Sequence, residues 1–175
     1  MMIGIELVLL GVVFVAASIP GSNFGLLAVG VLGCVAFGLA WIVLFLWQLS
    51  IHEPDRSRRE TAAWLVMPLI GFLGVAVVAN DIPLRVRFEL SRDAFEAAAA
   101  APLPGPADAS SVRQVGLYQV EPIDEPGARF FLVPEGGLLN AYGFAFITSG
   151  ATDVERDGCR HLDGPWWVCV EFSSD

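Results

Sequence analysis

The sequence predicts a membrane all-α anchor of three transmembrane helices followed by a small C-terminal α+β domain with a mainly antiparallel sheet. Three observations predict it. No charged residue stands between Leu7 and Ile51 or between Thr61 and Asn80, so the first eighty residues have no means of building a water-facing surface. A Pro-Gly break and an Arg-rich break divide that half into three runs of spanning length. From residue 81 onward the apolar residues recur with a period of two and acidic residues crowd in, as a half-buried sheet in water requires.

Composition sharpens the division into an anchor over 1–80 and a domain over 81–175. Charged residues are 17% of the 175-residue chain, with a mean hydropathy of +0.62, which asks for lipid as solvent over the first half. All ten basic residues are Arg, a bias that fits a GC-rich bacterial coding sequence and carries no function. From Asp81 onward there are fifteen Asp and Glu against seven Arg. A surface so acidic repels phosphate, which excludes nucleic acid and disfavours anionic headgroups as partners.

The first run, residues 3–19, would reach about 26 Å as a helix, just enough to cross a hydrocarbon core of about 30 Å. Glu6 stands near its start, where the expectation is a solvated helix end. A cleaved signal peptide is disfavoured because no basic segment precedes the apolar run. Ile19-Pro20-Gly21-Ser22 suits a type II turn, and Asn23 suits the cap of the next helix, so the chain should reverse there as a helical hairpin.

The second run, 24–47, contains fourteen Leu, Ile, Val or Phe residues, worth about 4 to 8 kcal/mol of insertion free energy. Gly30, Cys34 and Gly38 recur every fourth residue, a small-residue stripe open to a helix of this chain or of a second copy. Arg56, Arg58 and Arg59 then fall in the short loop after this run, while the Pro-Gly turn carries no charge. The positive-inside rule makes the Arg loop cytoplasmic. The third run, 62–79, holds Pro68, which a membrane helix tolerates with a kink. Counting crossings leaves the N-terminus in the cytoplasm and the 81–175 domain outside, in the cell envelope.

In that domain Leu84, Val86, Phe88 and Leu90 alternate with charged residues and predict a strand. Ser91 is an N-cap for a helix over 92–101, stopped by Pro102, Pro104 and Pro106. Further strands are expected at 115–121, 128–133, 141–148 and 166–172. Tyr142, Phe144 and Phe146 share one face, as do Trp166, Val168, Val170 and Phe172. Trp167 points to the opposite face, where it is either partly buried or a contact residue for membrane or partner.

Cys159 and Cys169 flank Asp163-Gly164-Pro165, so a disulfide across a hairpin and two free buried thiols both stay open. Asp153, Glu155 and Asp157 followed by Gly158 have the alternation of a calcium loop, but Gly164 replaces the bidentate Glu, and an acidic surface turn is the plainer expectation. His161 beside Asp163, with Ser149 or Ser110 as nucleophile, has no supporting spacing, and the second histidine, His52, belongs to the other side of the membrane. No phosphate loop and no cofactor-binding pattern occurs. No catalytic residue is assigned.

At Gly143-Phe144-Ala145-Phe146 and at His161 to Trp167 the chain resembles a family of small uncharacterised membrane proteins of high-GC Gram-positive bacteria, over about the last sixty residues. It departs from them at Phe146-Ile147-Thr148, where they carry Tyr then Ser-Pro, and in having paired cysteines. The resemblance implies a membrane location and transfers no activity. The expectation is therefore a non-enzymatic extracytoplasmic module that binds another envelope protein or ligand, with a subunit of an oligomeric transporter or channel as the alternative.

Overall fold

The computed structural model describes residues 2–50, 58–102, 112–125, 128–137, 140–147 and 158–171. Three long helices come first, α1 (Met2–Ala17), α2 (Phe24–Ser50) and α3 (Arg58–Ala79), then two short ones, α4 (Ile82–Glu89) and α5 (Arg92–Ala100). Six strands follow: β1 (Arg113–Val115), β2 (Tyr118–Glu125), β3 (Ala128–Val133), β4 (Ala141–Ile147), β5 (Cys159–Asp163) and β6 (Trp166–Glu171). They form one antiparallel sheet in the order β1-β2-β3-β4-β6-β5. The α+β sheet domain is thus as expected, behind a helical N-terminal half.

Among the described residues one helix, over Phe24–Gln48, is by itself long and apolar enough to cross a membrane, and 6% of its most apolar stretch is buried. Residues 4–17 are apolar but shorter, and α3 continues into α4 across a 61° bend. Large apolar side chains such as Leu32, Val43 and Phe72 stand in the open on these helices.

The turn between α1 and α2 follows from its residues. Ser22 donates its N–H to the Ile19 carbonyl at 2.9 Å, Pro20 takes the second position, and Gly21 supplies the positive φ of 74° that a type II turn needs third. Asn23 Oδ1 accepts the Leu26 N–H at 3.1 Å and caps α2. The tip of this hairpin is gripped by the sheet domain. Tyr118 donates its hydroxyl to the Ser18 carbonyl at 3.0 Å, Arg87 donates to Ser18 Oγ at 3.0 Å, and Gly137 N–H donates to the Ser22 carbonyl at 3.0 Å. Ile19 joins the core itself. A Cβ on Gly21 would fall 2.2 Å from the Tyr142 ring, so the turn fits only without a side chain.

Two strand expectations are overturned. Residues 84–89 lie in helix α4, with Leu90 at its C-cap, not in a strand. Leu84 and Phe88 lie one helical turn apart and are both buried, while Val86 and Leu90 are exposed, so the three-dimensional core selects the fourfold spacing over the twofold one. Pro83 also sits in the first turn, where its missing N–H costs nothing. The segment 115–121 is broken by a two-residue turn at Gly116-Leu117, with Val115 paired to Tyr118 and Gly116 at φ 58°. Ser91 holds that turn from the helical layer, accepting the Leu117 N–H at 3.0 Å and donating to the Arg87 carbonyl.

The core lies between the sheet and the layer of α4 and α5. Phe95 of α5 is fully buried and its ring meets Phe88, Tyr118, Phe131, Phe144 and Trp166 at centroid distances of 5.0 to 5.8 Å. Arg129 donates to the carbonyls of Ala98, Ala99 and Ala101 and closes the C-terminal end of α5. Phe95→Ala should cost about 3 to 5 kcal/mol of domain stability through the cavity it leaves. Denaturant unfolding followed by near-UV circular dichroism checks this, and a loss under about 1 kcal/mol would contradict the packing described.

Candidate functional site

A groove of about 640 Å³ lies between α2 and α3, floored by α1. Glycines let the floor rise. Cβ atoms on Gly30 and Gly33 of α2 would fall 2.6 Å from Val13 and Leu9 of α1, and one on Gly74 of α3 would fall 2.6 Å from Leu10. The α1 helix therefore packs closely against both others. Of the predicted stripe, Gly30 serves this internal contact, whereas Cys34 and Gly38 line the groove, with nothing within 4 Å of a Cβ on Gly38.

At the end remote from the sheet, Trp41 stacks on Phe45 at 5.2 Å, and Trp64 of α3 meets both rings at 6.0 and 5.8 Å, joining the two helices. The walls are apolar, with Val31, Val35, Ile42 and Val75 both lining the groove and exposed. One carboxyl group interrupts them. Glu6 is 8% exposed, its Oε2 has no hydrogen-bond partner, and a Cβ on Gly71 would stand 3.5 Å from its Oε1.

The depth of Glu6 follows from register. Leu9 lies against Gly33 and Val13 against Gly30, so Glu6 is level with residues 36–37, halfway along α2. From Ala17, at the hairpin end, it is about 17 Å down the helix axis. The carboxyl expected at a solvated helix end is therefore buried, in the second turn of α1 and level with the middle of α2. Counting back from the Pro20 turn finds this position, whereas counting forward from Met1 hides it.

In the sheet domain, the acid–base pair of His161 and Asp163 does not form. Asp163 pairs with Arg92, which also binds Glu89 at 2.8 Å, and His161 Nε2 lies 2.9 Å from the Gly164 carbonyl. Trp167 is 8% exposed and sits edge-on to His161 at 4.9 Å, over Ala145 of the neighbouring strand. Its ring is covered rather than offered. The calcium candidates Asp153, Glu155 and Asp157 lie outside the described residues, as do Arg56, Ser149, Ser110 and His52; of Arg58 and Arg59 only the helical backbone of α3 is described. Among the described residues no group of three or more His, Cys, Asp or Glu is placed to hold a metal.

Cys159 and Cys169 are cross-strand partners on β5 and β6 with Cα atoms 4.0 Å apart, and their sulfurs are at bonding distance. Val170 N–H donates to the Gly158 carbonyl, which makes the cysteine pair the adjacent position without backbone hydrogen bonds, where the strands run closest. Strand β4 pairs with β6, and Phe144 and Trp166 contribute large rings to the same core. No protein-family model, curated protein or solved structure matches the chain.

Two expectations follow. The unreduced protein should show one alkylatable thiol, Cys34, and three after reduction, with a loss of about 2 to 3 kcal/mol for a ten-residue separation; thiol counting by mass spectrometry checks it. The Arg92 guanidinium holds the Asp163 carboxyl below its ordinary value of 3.8. A depressed folded-state value contributes stability above the ordinary carboxylate value and loses it as pH falls through the folded one. Arg92→Gln should therefore flatten the acid limb of domain stability and return the Asp163 titration, followed by NMR, toward 3.8.

Proposed function

We propose that this chain is a multi-pass cell-membrane protein whose three N-terminal helices cross the bilayer and whose acidic α+β domain is a non-enzymatic interaction module outside the cell. One observation carries the reading. The helices expose contiguous Leu, Val, Ile and Phe side chains over their lengths, and an apolar surface of that extent is stable only where no water meets it. The short first helix is accommodated because its tip, Ser18 to Ser22, is held by the sheet domain at the membrane boundary, and α3 with α4 makes a bent third crossing.

Orientation rests on charge. Arg56, Arg58 and Arg59 lie between the second and third spans, and the uncharged Pro-Gly turn lies at the opposite end. On this reading the sheet domain stands in the oxidising envelope, where a bond between Cys159 and Cys169 persists. The interaction role is supported by the engagement of His161, Asp163 and Trp167 in structural contacts, and among the described residues the helical groove is open to meet another molecule. The alternative, a subunit of an oligomeric transporter or channel, draws on Glu6, since ionisable groups at such depth recur in conduction paths.

Labelling with a membrane-impermeant maleimide tests the arrangement on a Cys34→Ala background. Leu90→Cys, which is exposed, should react in intact cells, and Ser57→Cys should react only after permeabilisation. The opposite pattern inverts the orientation, and release of the chain by alkaline carbonate removes the membrane assignment.

A further inference from the structure

We infer that the groove between α2 and α3 seats a transmembrane helix of a different protein, one that carries a basic side chain at mid-depth to pair with Glu6. The inference rests on the membrane assignment above and deepens it by naming the class of partner. Its first support is the carboxyl itself. Glu6 Oε2 is buried and without a partner, among walls that offer hydrocarbon and little else. A polar group in such surroundings is costly until a donor reaches it.

Depth then selects the donor. On that assignment the Ala17 end of α1 stands at the membrane boundary, and Glu6 is about 17 Å below it, close to the midplane of a hydrocarbon core of about 30 Å. Lipid headgroups keep their donors at the two surfaces, and an acyl chain has none, so a lipid in the groove would leave Glu6 as it stands. A transmembrane helix can place a donor at any depth.

A second copy of this chain fits poorly. At that level its described helices offer the Cys34 thiol and the Trp41 indole N–H, both neutral donors. They offer no cation. The groove also has the surface a helix needs for close approach: Gly38, Gly71 and Pro68 line it, and small residues are what let helix backbones pack tightly in lipid. An opposite charge at mid-depth adds specificity, because Glu6 left beside an apolar helix would remain unsatisfied.

The test uses the full chain in phosphatidylcholine vesicles with two synthetic Leu-Ala transmembrane helices, one with Arg at its centre and one with Leu there. Flotation with the vesicles is read first, and a chain that does not float ends both the membrane assignment and this inference. For a chain that floats, energy transfer between labelled protein and labelled helix should show the Arg helix binding about tenfold more tightly than the Leu helix. Glu6→Leu should abolish that preference, and Val35→Trp, which fills the groove mouth and leaves Glu6 in place, should weaken the Arg helix by a similar factor. An intact Cys159–Cys169 bond and an unchanged near-UV spectrum of the sheet domain certify that each variant is folded. Equal binding of the two helices, or a preference that survives Glu6→Leu, overturns the inference while leaving the membrane assignment standing. So does a doxyl-labelled lipid that stays immobilised by the protein in the presence of saturating Arg helix, since that assigns the groove to lipid.

Discussion

The grip of the sheet domain on the α1–α2 turn is the constraint from which the rest follows. Ser18 to Ser22 is held by the Tyr118 hydroxyl, the Arg87 guanidinium and the Gly137 amide, with Ile19 inserted in the aromatic core. The grip anchors the end of α1, while Gly30, Gly33 and Gly74 set its register against α2 and α3 and with it the level at which Glu6 meets Gly71. The helical half and the sheet half are therefore not independently placed. A turn residue such as Gly21, pressed on the Tyr142 ring, takes part in positioning a carboxyl about three helical turns down α1 from Ala17.

Within the domain one aromatic side chain organises the layer contact. Phe95 stands where α5 crosses the sheet, and the rings of four strands and one helix converge on it. Edge and tilted contacts dominate, as ring quadrupoles favour. Four arginines of this small domain are spent on structure: Arg129 on the end of α5, Arg87 over the Tyr118 ring at 4.5 Å, Arg92 on Glu89 and Asp163, Arg160 on Asp81. Among the described residues Glu89, Asp93, Glu96 and Glu135 stand exposed, consistent with a domain that repels polyanions.

Much of this was legible in residue order alone. The Pro20-Gly21 turn and the Asn23 cap depend on local chemistry, and local chemistry is what a sequence displays; the same holds for the strands with aromatic faces at 141–147 and 166–171. The strand expected at 84–90 failed because both periods were present, Leu84 and Phe88 at helical spacing and Leu84 to Leu90 at strand spacing, and only the packing against Phe95 and Trp166 chose between them. Glu6 was missed for a related reason. Its burial is a property of three helices in register, and that register is set by Gly30, Gly33 and Gly74 meeting bulky residues of α1, a pairing no single segment reveals. The hairpin of Cys159 and Cys169 was visible as a spacing, while the strand register that brings the sulfurs together was not.

The passage from α3 to α4 takes two residues, Asn80 and Asp81, and turns the chain by 61°. Asp81 adopts the left-handed conformation with φ 55° and its carboxylate pairs with Arg160 of β5, so the corner is braced from the sheet. A head joined in this way has a rigid neck rather than a tether. Any surface it bears sweeps no sphere and gains no reach from linker length; with the helices in a bilayer, its height and tilt are set, and its encounters depend on how molecules drift past in the plane.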